Sequence, residues 1–324
     1  MSNAEALDLS RPACARCRAE LTGVRCDGRG GCALVRFENM AFHKPIFVGE
    51  VGSCTCEIVF TSHQSILVEV VVRAEDVARG KTRITNTGWL WYVPMTETSA
   101  GPGEKKKEWK IVPVAPLAKP HDAARAKKYD KAKAKYEERK SSKQNRDEGW
   151  DEEDFAAFRS QHAATAEGRS PRESEQLLCQ MVLPGDCGTG RVAFGGFVMK
   201  LMDNAAGCSA YRHCRANVVT VAISDMDFVG WVRLGDLCTV RSRPVFASSK
   251  SLEIEVVASV TSATSPEDDV VVAKGLFTFV SLGADGRVAA VPRLRLEEEE
   301  DARSAYRGKL RYEAAKRARS EVPN

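Results

Sequence analysis

The feature that most constrains the fold is that the chain repeats itself. VRFENMAFHKPIFVGEVGSCTCEIVFTSHQSILVEVVV from Val35 aligns without a gap on VAISDMDFVGWVRLGDLCTVRSRPVFASSKSLEIEVVA from Val221. Met40 falls on Met226, Phe42 on Phe228, Gly49 on Gly235, Phe60 on Phe246, Ser62 on Ser248, Ser65 on Ser251 and Glu69 on Glu255, each 186 residues on. Self-similarity over such a span means two copies of one folding unit, and 324 residues suffice for two cores.

Within each copy a VGE or LGD turn precedes a long alternating strand, then a polar connection (TSHQS, SSKS) and a second alternating strand, ILVEVVV or LEIEVVA. A third strand closes each copy, TNTGWLWYVP and AKGLFTFVSL, followed by a charged segment with tyrosines near helical spacing: ARAKKYDKAKAKYEERK, then ARSAYRGKLRYEAAKRAR. These tails read as solvated helices that pack Tyr129 and Tyr136, or Tyr306 and Tyr312, on the body. Lysine is mixed with glutamate and no base-stacking platform is evident, so nucleic acid is not an expected partner. TETSAGPGEKKKEWK and SSKQNRDEGWDEEDFAAF read as loop and linker by their Gly, Ser and charge content.

The net charge of +4 is too small to argue for a polyanionic partner. No apolar run approaches the length of a membrane helix, so no membrane association is expected. The N-terminus has no basic start followed by an apolar run; the expected compartment is the cytoplasm, a mitochondrial address remaining open. Eleven scattered cysteines suit reduced thiols better than a disulfide framework. Cys14, Cys17, Cys26 and Cys32 could hold zinc, but zinc modules repeat a tighter second pair, and no metal site is expected. There is no G-x-S-x-G, P-loop or G-x-G-x-x-G pattern, which leaves serine hydrolase, nucleotide hydrolase and dehydrogenase readings without support.

The candidate site lies in AFGGFVMKLMDNAAG. Read as a helix, FGGFVMKLMDNAAGCSAYRHC is apolar on nearly every face and therefore buried, yet it carries Asp203. A carboxylate satisfied by a cap or a backbone amide is the structural alternative; Gly207 at i+4 offers no basic partner, which favours function. Gly195 and Gly196 stand at the helix start, where unpaired amides and the positive dipole end can polarise a carbonyl oxygen. A carboxylate about two turns further on could activate water or attack directly, so acyl transfer is the expected chemistry.

VLPGDCGTGRVAFGGFVMKLMDNAAGCSAYRHCRANVVTVAISDMDF, with SSKSLEIEV and FTFVSL after it, resembles the second half of the tandem hotdog acyl-CoA thioesterases, in particular their cytosolic long-chain branch. The resemblance runs from about residue 32 to 318. It implies an α+β chain of two hotdog domains, each an antiparallel sheet wrapped around a long helix, forming a double hotdog with charged tail helices. It also implies homo-oligomers, commonly trimers of such chains, a fatty acyl-CoA substrate and no cofactor, CoA being part of the substrate. In that family a carboxylate in the helix of the second half works across the interface with an asparagine before the His-Gly-Gly of the first; Asp203 is the matching carboxylate, and Phe194-Gly195-Gly196 replaces the motif.

The expected layout is an irregular segment over 1–32, a first hotdog over 33–97, a charged linker over 98–172 with a helix at about 120–141, a second hotdog over 173–285 and a charged tail over 286–324. Shifting Asp203 back by one repeat reaches residue 17, too near the start for a whole helix. The first copy is therefore expected to be truncated, without its glycine pair and asparagine. A catalytically degenerate hotdog that binds acyl-CoA or acts as a scaffold is accordingly the alternative to hydrolysis, and a hotdog dehydratase a lesser one, since Phe194 stands where a histidine would serve. For the phosphates and ribose of CoA the candidates are Arg212 and His213 at the helix exit and Ser248, Ser249 and Lys250 in the polar connection, solvated turns being their plain reading.

Overall fold

The computed structural model describes residues 30–98, 108–142, 151–163, 168–188, 191–262 and 265–320. The described residues divide into two compact units: one takes those over 30–142 with Asp225–Val229, the other those over 151–224 and 230–320.

In the unit of the first copy, β1 (Gly30–Phe42), β2 (Val51–Thr61), β3 (Ile66–Asp76) and β4 (Lys81–Thr98) make an antiparallel sheet in the order β2-β3-β4-β1. The expected third strand is longer than its apolar text, because β5 (Glu108–Ile111), drawn from the segment read as loop, pairs with the end of β4 through Met95 and Ile111. Helix α1 (Ala123–Ser142) follows. Its Tyr129, Ala132 and Tyr136 pack on Phe60, Leu67 and Trp91, with Tyr136 5.5 Å from Phe60 and 5.8 Å from Trp91 between ring centroids. Arg139 lies 4.4 Å over the Trp91 ring and donates to Glu38 Oε1 at 2.8 Å. The tail helix is thus held by aromatic burial together with a cation that both stacks and pairs.

In the unit of the second copy, α2 (Glu152–Ala163) comes first, in text read from composition as linker. Its signals are local. Asp151 accepts from the Glu153 amide at 2.8 Å, three acidic residues occupy the first turn, and Phe155 and Phe158 share a face. That face is buried against Ala302, Ala305 and Tyr306 of the last helix. A single turn, α3 (Pro171–Ser174), is capped at both backbone and side chain by the reciprocal Ser170 and Glu173 bonds. Then come β6 (Gln176–Met181), the long helix α4 (Gly195–Cys214), β7 (Asn217–Phe228), β8 (Leu237–Ala247), β9 (Ser251–Ser262), β10 (Ser265–Leu282), β11 (Val288–Ala289) and α5 (Glu299–Ser320). The sheet runs β7-β10-β9-β8-β6, with β11 on β10.

Strand alternation assigns the two faces of this sheet. Leu252, Ile254, Val256 and Ala258 are buried on one side. Ser242, register partner of Val256, donates to the Ala205 carbonyl of α4 at 2.8 Å, so that side faces α4. The other side carries Glu253, whose carboxylate accepts from Arg311 Nε of α5 at 3.2 Å, and Phe246, 5.6 Å from the Tyr312 ring. A sheet with a long buried helix on one face is the arrangement expected of each copy; here α5 covers the opposite face.

The repeat extends to the hydrogen bonds of its turns. Ser62 Oγ meets Ser65 Oγ at 2.7 Å, and Ser248 Oγ meets Ser251 Oγ at 2.7 Å. The amides of Ser62 and Ser248 each donate at 2.8 Å to the carbonyl three residues on. The serines of the polar connection are therefore hairpin staples in both copies.

Close approach of α5 depends on Gly308, where a Cβ would stand 2.3 Å from Phe246 Cβ. Gly308→Ala is expected to destabilise the unit by about 1–3 kcal/mol through overpacking. Gly207→Ala, whose Cβ would sit an ordinary 3.9 Å from Phe279, is expected to stabilise it by up to about 1 kcal/mol through helix propensity. Thermal unfolding should move the melting temperature in opposite directions for the two variants.

Candidate active site

Helix α4 begins where the glycines placed it. Its N-cap is Phe194, in extended backbone, and its last turn ends on Arg215 in the left-handed region at φ 50°. The entry is clamped from three sides. The Phe194 amide donates to Asp186 O at 3.0 Å, Ala193 N to Val232 O at 2.8 Å and Leu234 N to Arg191 O at 2.9 Å. The Phe194 ring lies against Gly188, where a Cβ would come within 2.8 Å of it, so glycine is required for that contact. The half-buried Gly195 and Gly196 then occupy the first turn, their amides preceding the first bond of the helix, which Phe197 N makes to Phe194 O at 2.9 Å. That leaves the positive end of the helix dipole fixed in place and free of side chains.

Asp203 is 5% exposed. Its Oδ1 accepts from Thr220 Oγ1 of β7 at 2.9 Å, and among the described residues no cation pairs with it. Burial lifts its carboxyl above the ordinary aspartate value of 3.8, and the Thr220 bond, which favours the charged form, opposes this only in part. The result is a carboxylate more basic than usual with a second oxygen left to accept from a water. Thr220 was not singled out from sequence. The signal was there in the form of one hydroxyl within the apolar run VVTVAI, but nothing local told which side chain it would face.

The structure corrects the idea that one helix holds a whole site. Seven residues separate Gly196 from Asp203, which is about 10 Å of helix rise, roughly three times the reach of a hydrogen bond. The two share a face, yet one thioester carbonyl cannot touch both.

The candidate CoA contacts separate as well. His213 is fully buried; Nδ1 lies 3.3 Å from Ser174 Oγ and Nε2 2.9 Å from Pro292 O. With both ring nitrogens engaged in the interior and its pKa lowered chiefly by burial, it has nothing to offer a phosphate, and that expectation is withdrawn. Ser248 spends its hydroxyl on Ser251 and on the amides of Lys250 and Ser251, which removes it too. Arg212, Ser249 and Lys250 remain exposed. One segment touches both the hairpin turn and the helix exit, since Val291 N donates to Ser249 O at 3.1 Å while Pro292 O accepts from His213. Of the suggested zinc cysteines, Cys14, Cys17 and Cys26 lie outside the described residues and Cys32 is exposed on β1; no metal-binding group of His, Cys, Asp or Glu occurs among the described residues. No helix among them is long and apolar enough to cross a membrane.

Ionising a buried carboxylate costs the folded state, and the pKa fixes the pH window. Because the folded pKa of Asp203 lies above 3.8, that cost is absent below the unfolded value and grows as pH rises through the folded one. Asp203→Asn, which keeps an acceptor for Thr220, should therefore raise the melting temperature at neutral pH, and the gain should fade on acidification below the ordinary aspartate pKa.

Comparison with known proteins gives the geometry a context. The model of the thioesterase superfamily matches residues 8–81 and 190–262. The cytosolic acyl coenzyme A thioester hydrolase of Homo sapiens is 32% identical over 292 residues, 89% of this chain and 72% of that protein. An uncharacterized acyl-CoA thioester hydrolase of Bacillus subtilis, YkhA, is 31% identical over 137 residues, 42% of this chain and 79% of its own. A solved acyl-CoA hydrolase from Staphylococcus aureus, in complex with butyryl coenzyme A, coenzyme A and its disulfide, is 26% identical with a TM-score of 0.44, covering 47% of this chain and 93% of that one.

Proposed function

This chain belongs to the thioesterase superfamily, among the acyl-CoA thioester hydrolases, and from that membership we propose that it hydrolyses fatty acyl-CoA to free fatty acid and CoA. The observation that carries the residue-level reading is the buried, cation-free carboxylate of Asp203 beside Thr220. Asp203 acts as general base: its carboxylate takes a proton from water as the water oxygen bonds to the thioester carbonyl carbon. The C–S bond then breaks, the sulfur leaves with the electron pair, and protonation gives the CoA thiol and the fatty acid. Thr220 holds Oδ1, orienting the other oxygen toward the water.

The carbonyl oxygen that turns negative in this step is stabilised by backbone amides at a glycine-pair helix start. Helix rise requires that this start belong to a different helix from the one bearing the attacking base, so Gly195 and Gly196 serve a site whose base lies elsewhere. The partner helix comes from another chain of a homo-oligomer, a trimer of double hotdogs being the assembly the family resemblance suggests. The layout of two hotdog domains over 33–97 and 173–285 goes with this reading, as do a cytosolic location and the absence of any cofactor beyond the CoA of the substrate. Arg212, Ser249 and Lys250 are the surface groups left to meet CoA phosphates.

The test is release of free thiol from a panel of short to long acyl-CoAs. Asp203→Ala should lower turnover by about a hundredfold or more, and Thr220→Val should move the acid limb of the pH profile upward, because it removes the bond that holds the Asp203 pKa down. Equal, background-level release from the native chain and Asp203→Ala would replace hydrolysis with the binding-only reading.

A further inference from the structure

A cavity of about 560 Å³ opens at the far end of α4, lined by Gly168, Arg169, Glu173, Tyr211, Arg212 and Arg215. Its charge is one-sided. Glu173 accepts from Arg295 at 3.2 Å and from the Ser170 amide at 2.9 Å, so its carboxylate is already matched. Arg169 donates from Nη1 to the carbonyls of Arg212, at 2.8 Å, and of His213, capping the negative end of the helix. Arg212 and Arg215 are exposed and, among the described residues, neither has an acidic partner. Beside them the Tyr211 side chain is 60% exposed.

The walls are held in place by backbone. The Arg169 strand bridges Leu294, its amide donating to Arg293 O at 3.2 Å and its carbonyl accepting from Arg295 N at 3.0 Å. Gly168, at φ 116°, makes this possible, since a Cβ there would lie 2.4 Å from Arg293 O. Arg215 takes the left-handed conformation, unfavourable for a side chain of its kind by about 1 kcal/mol, and its amide still closes the helix onto Tyr211 O at 2.7 Å. That turn sets the Arg215 side chain against the same cavity as Arg212.

Two unmatched guanidinium groups recognise phosphate oxygens, and an exposed tyrosine ring beside them offers a face to a planar base. The volume falls within the range of small-ligand pockets. We propose that this cavity binds a phosphorylated nucleoside, with Arg212 and Arg215 on its phosphate and Tyr211 under its base. Arg212 stands nine residues from Asp203, about 13 Å along the axis and half a turn round, so a ligand seated here does not reach that carboxylate on the same helix. It is either a separate nucleotide or the nucleotide end of an acyl-CoA whose thioester lies in a site built on another helix. The second source rests on the thioesterase reading; the binding does not.

The experiment is calorimetric titration of the full chain with adenosine 3',5'-bisphosphate and with inorganic phosphate. Arg212→Gln/Arg215→Gln should weaken both at least about tenfold, while Arg79→Gln/Arg287→Gln, which removes the same charge elsewhere, should leave them unchanged. Tyr211→Leu should weaken the bisphosphate and spare inorganic phosphate. Affinity equal in the paired variant and its charge control, or no binding by the native chain, would overturn the proposal; if the paired variant does not fold, Arg212→Gln alone is read against the same control. A raised KM for acyl-CoA at unchanged kcat in the paired variant, with S-acyl pantetheine unaffected, assigns the site to the substrate. An unchanged KM, with bisphosphate binding alongside acyl-CoA, assigns it to a separate nucleotide. A native chain that binds the bisphosphate yet releases no thiol would fail the hydrolase reading and leave this one standing.

Discussion

Helix α4 is buried along its length on the face of β8, β9 and β10, and that seating determines the rest. The sheet supplies the Leu252, Ile254 and Val256 side chains beneath it, and Ser242 reaches a mid-helix carbonyl, which fixes the register of helix on sheet and not merely its proximity. With the register fixed, Asp203 has no choice of environment. It meets Thr220 and little water, and its raised pKa is the electrostatic consequence of a packing decision. The same seating delivers the other end of the helix to Arg169, so one contact surface positions both the basic carboxylate and the arginine-lined cavity.

The tail helices solve a second problem common to both copies. The sheet face under each tail carries bulky residues: Trp89 and Trp91 in the first copy, Phe246 in the second. The first tail brings Tyr129 and Tyr136 to that face and the second brings Tyr312, and each pairs a cation with a sheet carboxylate, Arg139 with Glu38 and Arg311 with Glu253. Both carboxylates are almost fully buried; Glu38 also accepts from Arg36 Nε at 2.9 Å and keeps a cation if Arg139 is truncated, whereas truncating Arg311 would strand the Glu253 charge. Lysines of the first tail also face the body: Lys128 pairs with Glu69, and Lys131 and Lys135 lie over the Trp89 ring.

How much of this was legible depended on how local the determinant was. The repeat, the strands and the start of α4 rest on period and on glycine, which are properties of neighbouring residues, and they emerged from text alone. The burial of Asp203 was readable because a charge interrupts an apolar helix. Thr220 was not, since its meaning comes from a partner seventeen residues away on a different element. The histidine at 213 misled for a related reason: a basic side chain in a last helical turn suggests an exposed cation, whereas tertiary packing closed Ser174 and Pro292 around it. Helix α2 hid in linker composition because its two phenylalanines acquire a purpose only against α5.

The separation of the glycine pair from Asp203 limits what one helix can do. A buried helix of twenty residues is long enough to present an amide-rich end and a mid-helix carboxylate, but its rise keeps them too far apart to act on one carbonyl. Bending the helix to close that gap would break the packing that makes the carboxylate basic. A helix supplied from elsewhere leaves the packing intact, which is why the proposed reading puts the amides and the base that act on one carbonyl on different helices. On that proposal a change at Gly195 or Gly196 and a change at Asp203 damage different sites, and the double variant loses no more from either site than the corresponding single variant does.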